Sequence, residues 1–146
     1  MKTSTIRNWL IDSVVVIATA GIAVFLLPML AGLGAALSLR LGRTYYLALG
    51  IVLGNLLPSV IVGSLQGIGA AWFIRHRKLS LAMLPAILCC LFLALYFTIM
   101  PMPDFMGGLL FDMVIMSSLL LLLVASFLCA RFVLRRREKN LGERHP

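Results

Sequence analysis

The stretch Thr44–Ile74, TYYLALGIVLGNLLPSVIVGSLQGIGAAWFI, decides the fold class of this 146-residue chain because it contains no charged residue and no histidine. As an α-helix it would reach about 46 Å at 1.5 Å per residue, which exceeds the ~30 Å hydrocarbon core of a bilayer. We predict one membrane span over residues 44–74 that is kinked near Pro58. A re-entrant pair of half-helices is the alternative.

Apolar runs on both sides of this stretch predict further spans. The chain has 62% hydrophobic residues and a mean hydropathy of +1.06, which is more apolar surface than one soluble core can bury. We therefore predict an all-α polytopic integral membrane protein: one domain, residues 1–146, in which four transmembrane helices form one bundle. A cleaved signal peptide is the alternative to a retained first helix. The other spans are expected at roughly residues 9–33, 79–100 and 109–130, followed by a basic tail at 131–146.

The distribution of basic residues predicts the orientation of the spans. Of the 13 Lys and Arg residues, all but Arg40 and Arg43 fall on one side of a four-span arrangement. The positive-inside rule then places both termini in the cytoplasm, and we expect a bacterial cytoplasmic (inner) membrane. On the opposite side, Arg40 or Arg43 is predicted to pair with Asp104 or Asp112. Charges that remain solvated at the interface are the alternative, and exposed pairs add little stability.

The formal charge of +8 is interpreted as membrane contact and not as nucleic-acid binding. Aromatic residues lie inside the predicted spans and do not alternate with the arginines, as they would on a nucleic-acid surface. Basic clusters beside apolar spans are typical of contact with anionic phospholipid headgroups. A tail that docks another protein is the alternative. The residues predicted to contact lipid are Arg75, Arg77, Lys78, Arg135, Arg136 and Arg137.

Small residues at four-residue spacing predict the helix-packing faces, because helices in lipid associate through close backbone approach. One such row lies in the central stretch and a second in the third span. We predict that the second and third spans pack through these rows, or that one row binds another protein. The two rows comprise Gly50, Gly54, Gly63 and Gly67 in the central stretch, and Ala82, Ala86, Cys90 and Ala94 in the third span.

Asn55, Ser59 and Gln66 share one face of the central helix, since spacings of 4, 7 and 11 residues return to nearly the same azimuth. They are predicted to form interhelical hydrogen bonds or to line a polar path. No ionisable side chain lies near the middle of a predicted span, as proton-coupled carriers usually require. The function we expect is a non-enzymatic accessory or assembly subunit. A small homo-oligomeric transporter or channel is the alternative.

Nothing in the sequence predicts catalysis. His76 and His145 are isolated. Asp104 and Asp112 could form a carboxylate pair at the outer interface, but no histidine, Ser-His pair or metal-ligand cluster lies beside them. The three cysteines lie inside apolar runs without a CxxC motif or a disulfide framework. We therefore expect no catalytic residue, no metal and no cofactor. The expected partners are the lipid bilayer and other membrane subunits or a second copy of the chain.

Overall fold

The computed structural model describes residues 2–41, 46–74, 78–99 and 108–142, and the regular structure in these ranges is entirely helical. We call the five residues of π-helix in the central span the π segment. The elements in chain order are α1 (Lys2–Leu41), α2 (Tyr46–Ile51), the π segment (Val52–Leu56), α3 (Leu57–Phe73), α4 (Leu79–Ile99) and α5 (Gly108–Gly142).

Four helical stretches in the described part of the chain are long and apolar enough to cross a membrane. The predicted all-α class and the number of membrane-spanning stretches are therefore confirmed. Two helices extend further than the predicted spans, since α1 has 40 residues and α5 has 35. The stretches that meet the criteria are Ile6–Ser38, Leu49–Phe73, Leu79–Tyr96 and Asp112–Lys139.

The basic tail continues the fourth membrane helix. We predicted a span that ends near Ala130, followed by a basic tail, but α5 runs on to Gly142. Arg, Lys, Glu and Leu are good helix formers, so this sequence has little reason to leave the helix. The Arg136 guanidinium also lies 5.0 Å from the centre of the Phe132 ring, one turn earlier on the same helix.

The central stretch is one continuous helical span. The π segment joins α2 to α3 without a break, and Ile51, Leu56 and Leu57 all have right-handed helical backbone angles. Pro58 explains the π geometry, because it lacks an N–H and its ring crowds the carbonyl four residues earlier. The wider turn relieves this conflict, and the Leu57 N–H donates to the carbonyl of Val52, five residues back.

The most extensive helix contact joins α3 to α5. A Cβ atom on Gly63 would overlap the backbone of Leu122, and one on Gly67 would overlap the backbone of Ser126. Both partners advance by four residues, so the two helices run in the same direction. This is the arrangement required of the second and fourth spans in a four-span chain.

The prediction that the second and third spans pack through their small-residue rows is therefore wrong for the central glycines. Gly63 and Gly67 face α5, and Gly54 lies against α1, where an added Cβ would be 3.6 Å from the Ala31 carbonyl oxygen. Gly50 also faces α1, near the Ser38 hydroxyl. The spacing of small residues identifies a surface of close approach, but it carries no information about which neighbour approaches.

Only the first part of the small-residue row on α4 is buried in the protein interior. Ala82 and Ala86 are fully buried, and the Cys90 sulfur lies 3.9 Å from the Leu119 carbonyl oxygen of α5. Ala94 is exposed. A four-residue step rotates by about 40° on an α-helix, so the row turns away from the neighbouring helices towards its end.

Two buried layers hold the four spans together, and each layer takes residues from α1, α3, α4 and α5. We call the one further from the π segment the basal layer and the other the central layer. The basal layer comprises Val16, Ala70, Ala71, Ile74, Ala82, Ala130, Val133 and Leu134. The central layer comprises Ala23, Val62, Ala86, Cys89 and Leu122.

Candidate functional site

A partly open cavity of about 490 Å³ lies between all four spans at the level of the π segment. This volume is within the usual range for small-molecule sites, roughly 300–1,000 Å³. Its wall is mainly apolar. The lining residues are Val24, Phe25, Leu27, Pro28 and Ala31 of α1, Gly54, Asn55, Pro58 and Ser59 of the central span, Phe92, Leu93 and Tyr96 of α4, and Ile115, Ser118 and Leu119 of α5.

Backbone features of the central span and α1 make room for this cavity. Pro28 and Pro58 both line the cavity, and each removes a backbone donor from its helix. Gly54 lies in the π segment and contributes no side chain to the space. Near the end of α1, a Cβ on Gly34 would overlap the Leu53 carbonyl. The π segment is therefore held tightly against α1 beside the cavity.

The central layer closes the cavity on one side. Val24, Leu27 and Leu93 line the cavity and also pack against this layer, in which Val62 is 1% exposed and Leu122 is fully buried. The described residues therefore form a pocket whose inner end is blocked by hydrophobic side chains.

Asn55 and Ser59, two of the three residues of the predicted polar path, line this pocket. The Ser59 hydroxyl donates to the backbone carbonyl of Asn55 at 2.8 Å, so the Ser59 oxygen can only accept a further hydrogen bond. Among the residues that the structure describes, the Asn55 carboxamide has no hydrogen-bond partner. It has donors and an acceptor available for a ligand.

Gln66 is separated from the pocket. It is 4% exposed, and its Nε2 donates to the Pro85 carbonyl of α4 at 3.4 Å. Val62 of the central layer lies between it and Ser59 along α3. Gln66 therefore makes the interhelical hydrogen bond that was one of its two predicted roles. Its Oε1 and the Ser126 hydroxyl have no partner among the described residues.

Ser118 of α5 and Tyr96 of α4 add two polar groups to the pocket that the sequence analysis did not identify. The Ser118 hydroxyl donates to the Val114 carbonyl at 2.8 Å within its own helix. Ser117 makes the same bond at the same distance but is exposed. In the sequence these two serines are indistinguishable, and only the packing of α5 assigns one of them to the pocket.

Arg137, one of the residues predicted to contact lipid, makes contacts within the protein that the sequence did not predict. The Arg137 Nη1 donates to three backbone carbonyls at the end of α3: Ala71 at 2.7 Å, Trp72 at 2.9 Å and Ile74 at 3.2 Å. These carbonyls lack intrahelical donors because α3 ends there, with Ile74 extended. A cation at this position also interacts favourably with the helix dipole. Arg137 is therefore a helix cap supplied by another helix.

The other basic residues and the predicted ion pairs are placed as follows. Lys78, Arg135 and Arg136 are exposed, and Arg75 and Arg77 lie outside the described residues. Arg40 and Asp112 are both exposed and form no ion pair with each other. Arg43 and Asp104 lie outside the described residues, so the remaining predicted pairings stay predictions.

Asp12 is an acidic residue of α1 that is only 1% exposed. It lies one turn before Val16, which belongs to the basal layer. A carboxyl group buried in a membrane helix is costly unless its environment compensates it. The sequence carried no signal for this burial, because α1 is apolar on all sides and no face of it is marked as the inner one.

Among the described residues no three His, Cys, Asp or Glu side chains are grouped closely enough to hold a metal ion. The cysteines Cys89, Cys90 and Cys129 are free thiols. Comparisons with protein-family models, with characterised proteins and with solved structures found no match to this chain. The pocket at the π segment is therefore the feature from which a function is argued.

Proposed function

We propose that this chain is a non-enzymatic integral membrane protein whose four-helix bundle binds a small molecule in the pocket at the π segment, as a small transporter. The observation that carries this proposal is that all four spans contribute to one cavity of about 490 Å³ with the free Asn55 carboxamide in its wall. Helix irregularities beside a cavity are a common feature of membrane transport sites.

The closed inner end favours a carrier over an open channel. The central layer blocks the way from Ser59 to Gln66, so the polar face of α3 does not form a continuous path. A carrier needs such a barrier on one side of its ligand at any time. The positive-inside rule supports both termini in the cytoplasm of a bacterial inner membrane, with the pocket in the outer half.

An accessory or assembly subunit is the second candidate. The central glycines are used within the chain, so a partner would need another close-packing surface. The exposed face of α1 offers one, because a Cβ on Gly21 or Gly32 would meet nothing within 4 Å. Phe25 and Met29 are exposed on the same face between these glycines.

Filling the pocket tests the proposed function. We expect Ser118→Phe to abolish one-to-one binding of single-chain amphiphiles, because the ring would occupy the cavity. The matched control is Ser117→Phe, which adds the same ring to the lipid-facing side of α5 and is expected to bind as wild type does. Native mass spectrometry after equilibration with 1-hexadecanol, hexadecyl sulfate or hexadecyltrimethylammonium reports the bound fraction.

A second cavity variant protects the test against misfolding of Ser118→Phe. Leu93→Trp enlarges a side chain that already lines the pocket, and it should also reduce binding. Helix content and detergent stability are measured for each variant. If no probe binds the wild type, or if both cavity variants fold and bind every probe as the wild type does, the proposed function is wrong.

A further inference from the structure

The polar groups that the described residues contribute to the pocket are uncharged. The described residues that line it include no Asp, Glu, Lys, Arg or His, and its polar side chains are Asn55, Ser59, Tyr96 and Ser118. An ion transferred from water into such a site loses its hydration and gains no opposite charge. The lining therefore selects against charged ligands.

Asn55 distinguishes this pocket from a purely apolar one. Its amide donates two hydrogen bonds and its carbonyl accepts, whereas the Ser59 and Ser118 hydroxyl protons are already directed to backbone carbonyls. A ligand group that both donates and accepts, such as an alcohol, can use the Asn55 amide and a serine oxygen together. This part of the wall suits one small neutral polar group.

The opening of the pocket lies between α1 and α4. Phe25 of α1 and Phe92 and Tyr96 of α4 line the cavity and are nevertheless 80%, 52% and 46% exposed. Asn55 of the π segment is also exposed, whereas the lining residues of α5 are only partly exposed. Phe25 lies in the middle of the first span, where exposed side chains face lipid, so at this residue the pocket opens sideways towards the acyl chains of the bilayer.

From these three observations we propose that the ligand is an uncharged single-chain amphiphile, which enters from the bilayer between α1 and α4. Asn55 hydrogen-bonds its hydroxyl or similar neutral polar end inside the pocket. The alkyl chain leaves between Phe25 and Phe92 into the lipid. This inference rests on the proposed function and names the class of molecule that the same pocket holds.

Headgroup selectivity tests this inference with the three probes, which share one alkyl chain. The wild type is expected to bind 1-hexadecanol at least about tenfold more tightly than hexadecyl sulfate or hexadecyltrimethylammonium, because only the alcohol avoids burial of an unpaired charge. Affinity is measured by titration in nanodiscs of zwitterionic lipid, followed by native mass spectrometry.

Asn55 variants test the role of the carboxamide. Asn55→Leu keeps a similar volume and should weaken binding of 1-hexadecanol about tenfold, the upper range for one lost hydrogen bond. Asn55→Ser retains a donor and an acceptor and should recover part of the affinity. Ser13→Leu, an exposed position on α1, serves as a control that should leave the affinity unchanged.

The possible outcomes separate the inference from the proposed function. If a charged probe binds as tightly as the alcohol and Ser118→Phe still removes it, the pocket is a binding site but its ligand is not restricted to uncharged amphiphiles. The inference is likewise overturned if Asn55→Leu folds and binds 1-hexadecanol as wild type does. Selectivity for the alcohol that also depends on Asn55 supports it.

Discussion

At the residue scale, single side chains of this protein form hydrogen bonds with backbone carbonyls, including those that have no donor at the end of a membrane helix. The last carbonyls of α3 have no donor within their own helix, and the Arg137 guanidinium supplies one from α5. Ser59 and Ser118 similarly return their hydroxyl protons to their own helices beside the pocket. Polar side chains are thereby accommodated without a neighbouring charge.

Arg137→Gln is expected to lower the free energy of unfolding by about 1.5–3 kcal/mol, the typical contribution of hydrogen bonds to a charged group. The loss also removes a cation from the negative end of the α3 dipole. The measurement is reversible unfolding in mixed micelles. Arg135→Gln removes an exposed arginine from the same tail and should change the free energy by less than about 0.5 kcal/mol. Equal effects of the two substitutions would mean that the cap contributes no stability.

At the scale of helices, the central span has two different packing surfaces. Its glycines at 63 and 67 allow the α5 backbone to approach, and Gly54 in the π segment allows α1 to approach. Helices in lipid gain little from hydrophobic burial against each other, so this close packing must supply much of their association. The π segment lies at the start of the surface that packs against α1, and the pocket lies beside the π segment.

Gly67→Leu is expected to destabilise the protein by about 3 kcal/mol or to prevent folding, because its side chain would overlap the Ser126 backbone. Gly21→Leu is the matched control. It is also a mid-helix glycine, but the space around its Cβ position is open, so the substitution should be neutral or slightly stabilising in the isolated chain. Unfolding transitions followed by circular dichroism compare the two variants, and a stable Gly67→Leu protein would contradict the α3–α5 contact.

At the scale of the whole molecule, two buried layers divide the described chain into a closed half and an open half. The basal layer and the Arg137 cap close the end where α3 terminates, and the central layer forms the inner wall of the pocket. Any partner protein would have to use a surface that these layers leave exposed. The glycine-containing face of α1 is the available close-packing surface among the described residues.

The double variant Gly21→Leu and Gly32→Leu tests the accessory-subunit candidate. If a partner packs on α1, native gels of gently solubilised membranes should show a heteromeric band for the wild type and a band of the single chain for the variant. The purified variant should remain as stable as the wild type, since both positions are open within the chain. A wild type that migrates as a discrete homodimer or tetramer would instead favour the transporter.

The sequence by itself determined the all-helical class and the number of membrane-spanning helices. In lipid a helix must satisfy its own backbone, so four long uncharged runs leave little choice. It also identified the glycine surface of Thr44–Ile74 and the polar residues Asn55 and Ser59, because helical periodicity is a local property. Their neighbours and the pocket depend on contacts between distant segments.

Only the tertiary structure decided that Gly63 and Gly67 meet α5, that Arg137 caps α3, and that Ser118 but not Ser117 faces the pocket. A spacing of four residues defines a helix face, whereas the choice of its partner depends on the simultaneous packing of all four helices. Gln66 was grouped with Asn55 because both lie on the same side of the helix, yet the central layer separates them. The angular position of a residue on its helix does not show which side chains of other helices pack at each level.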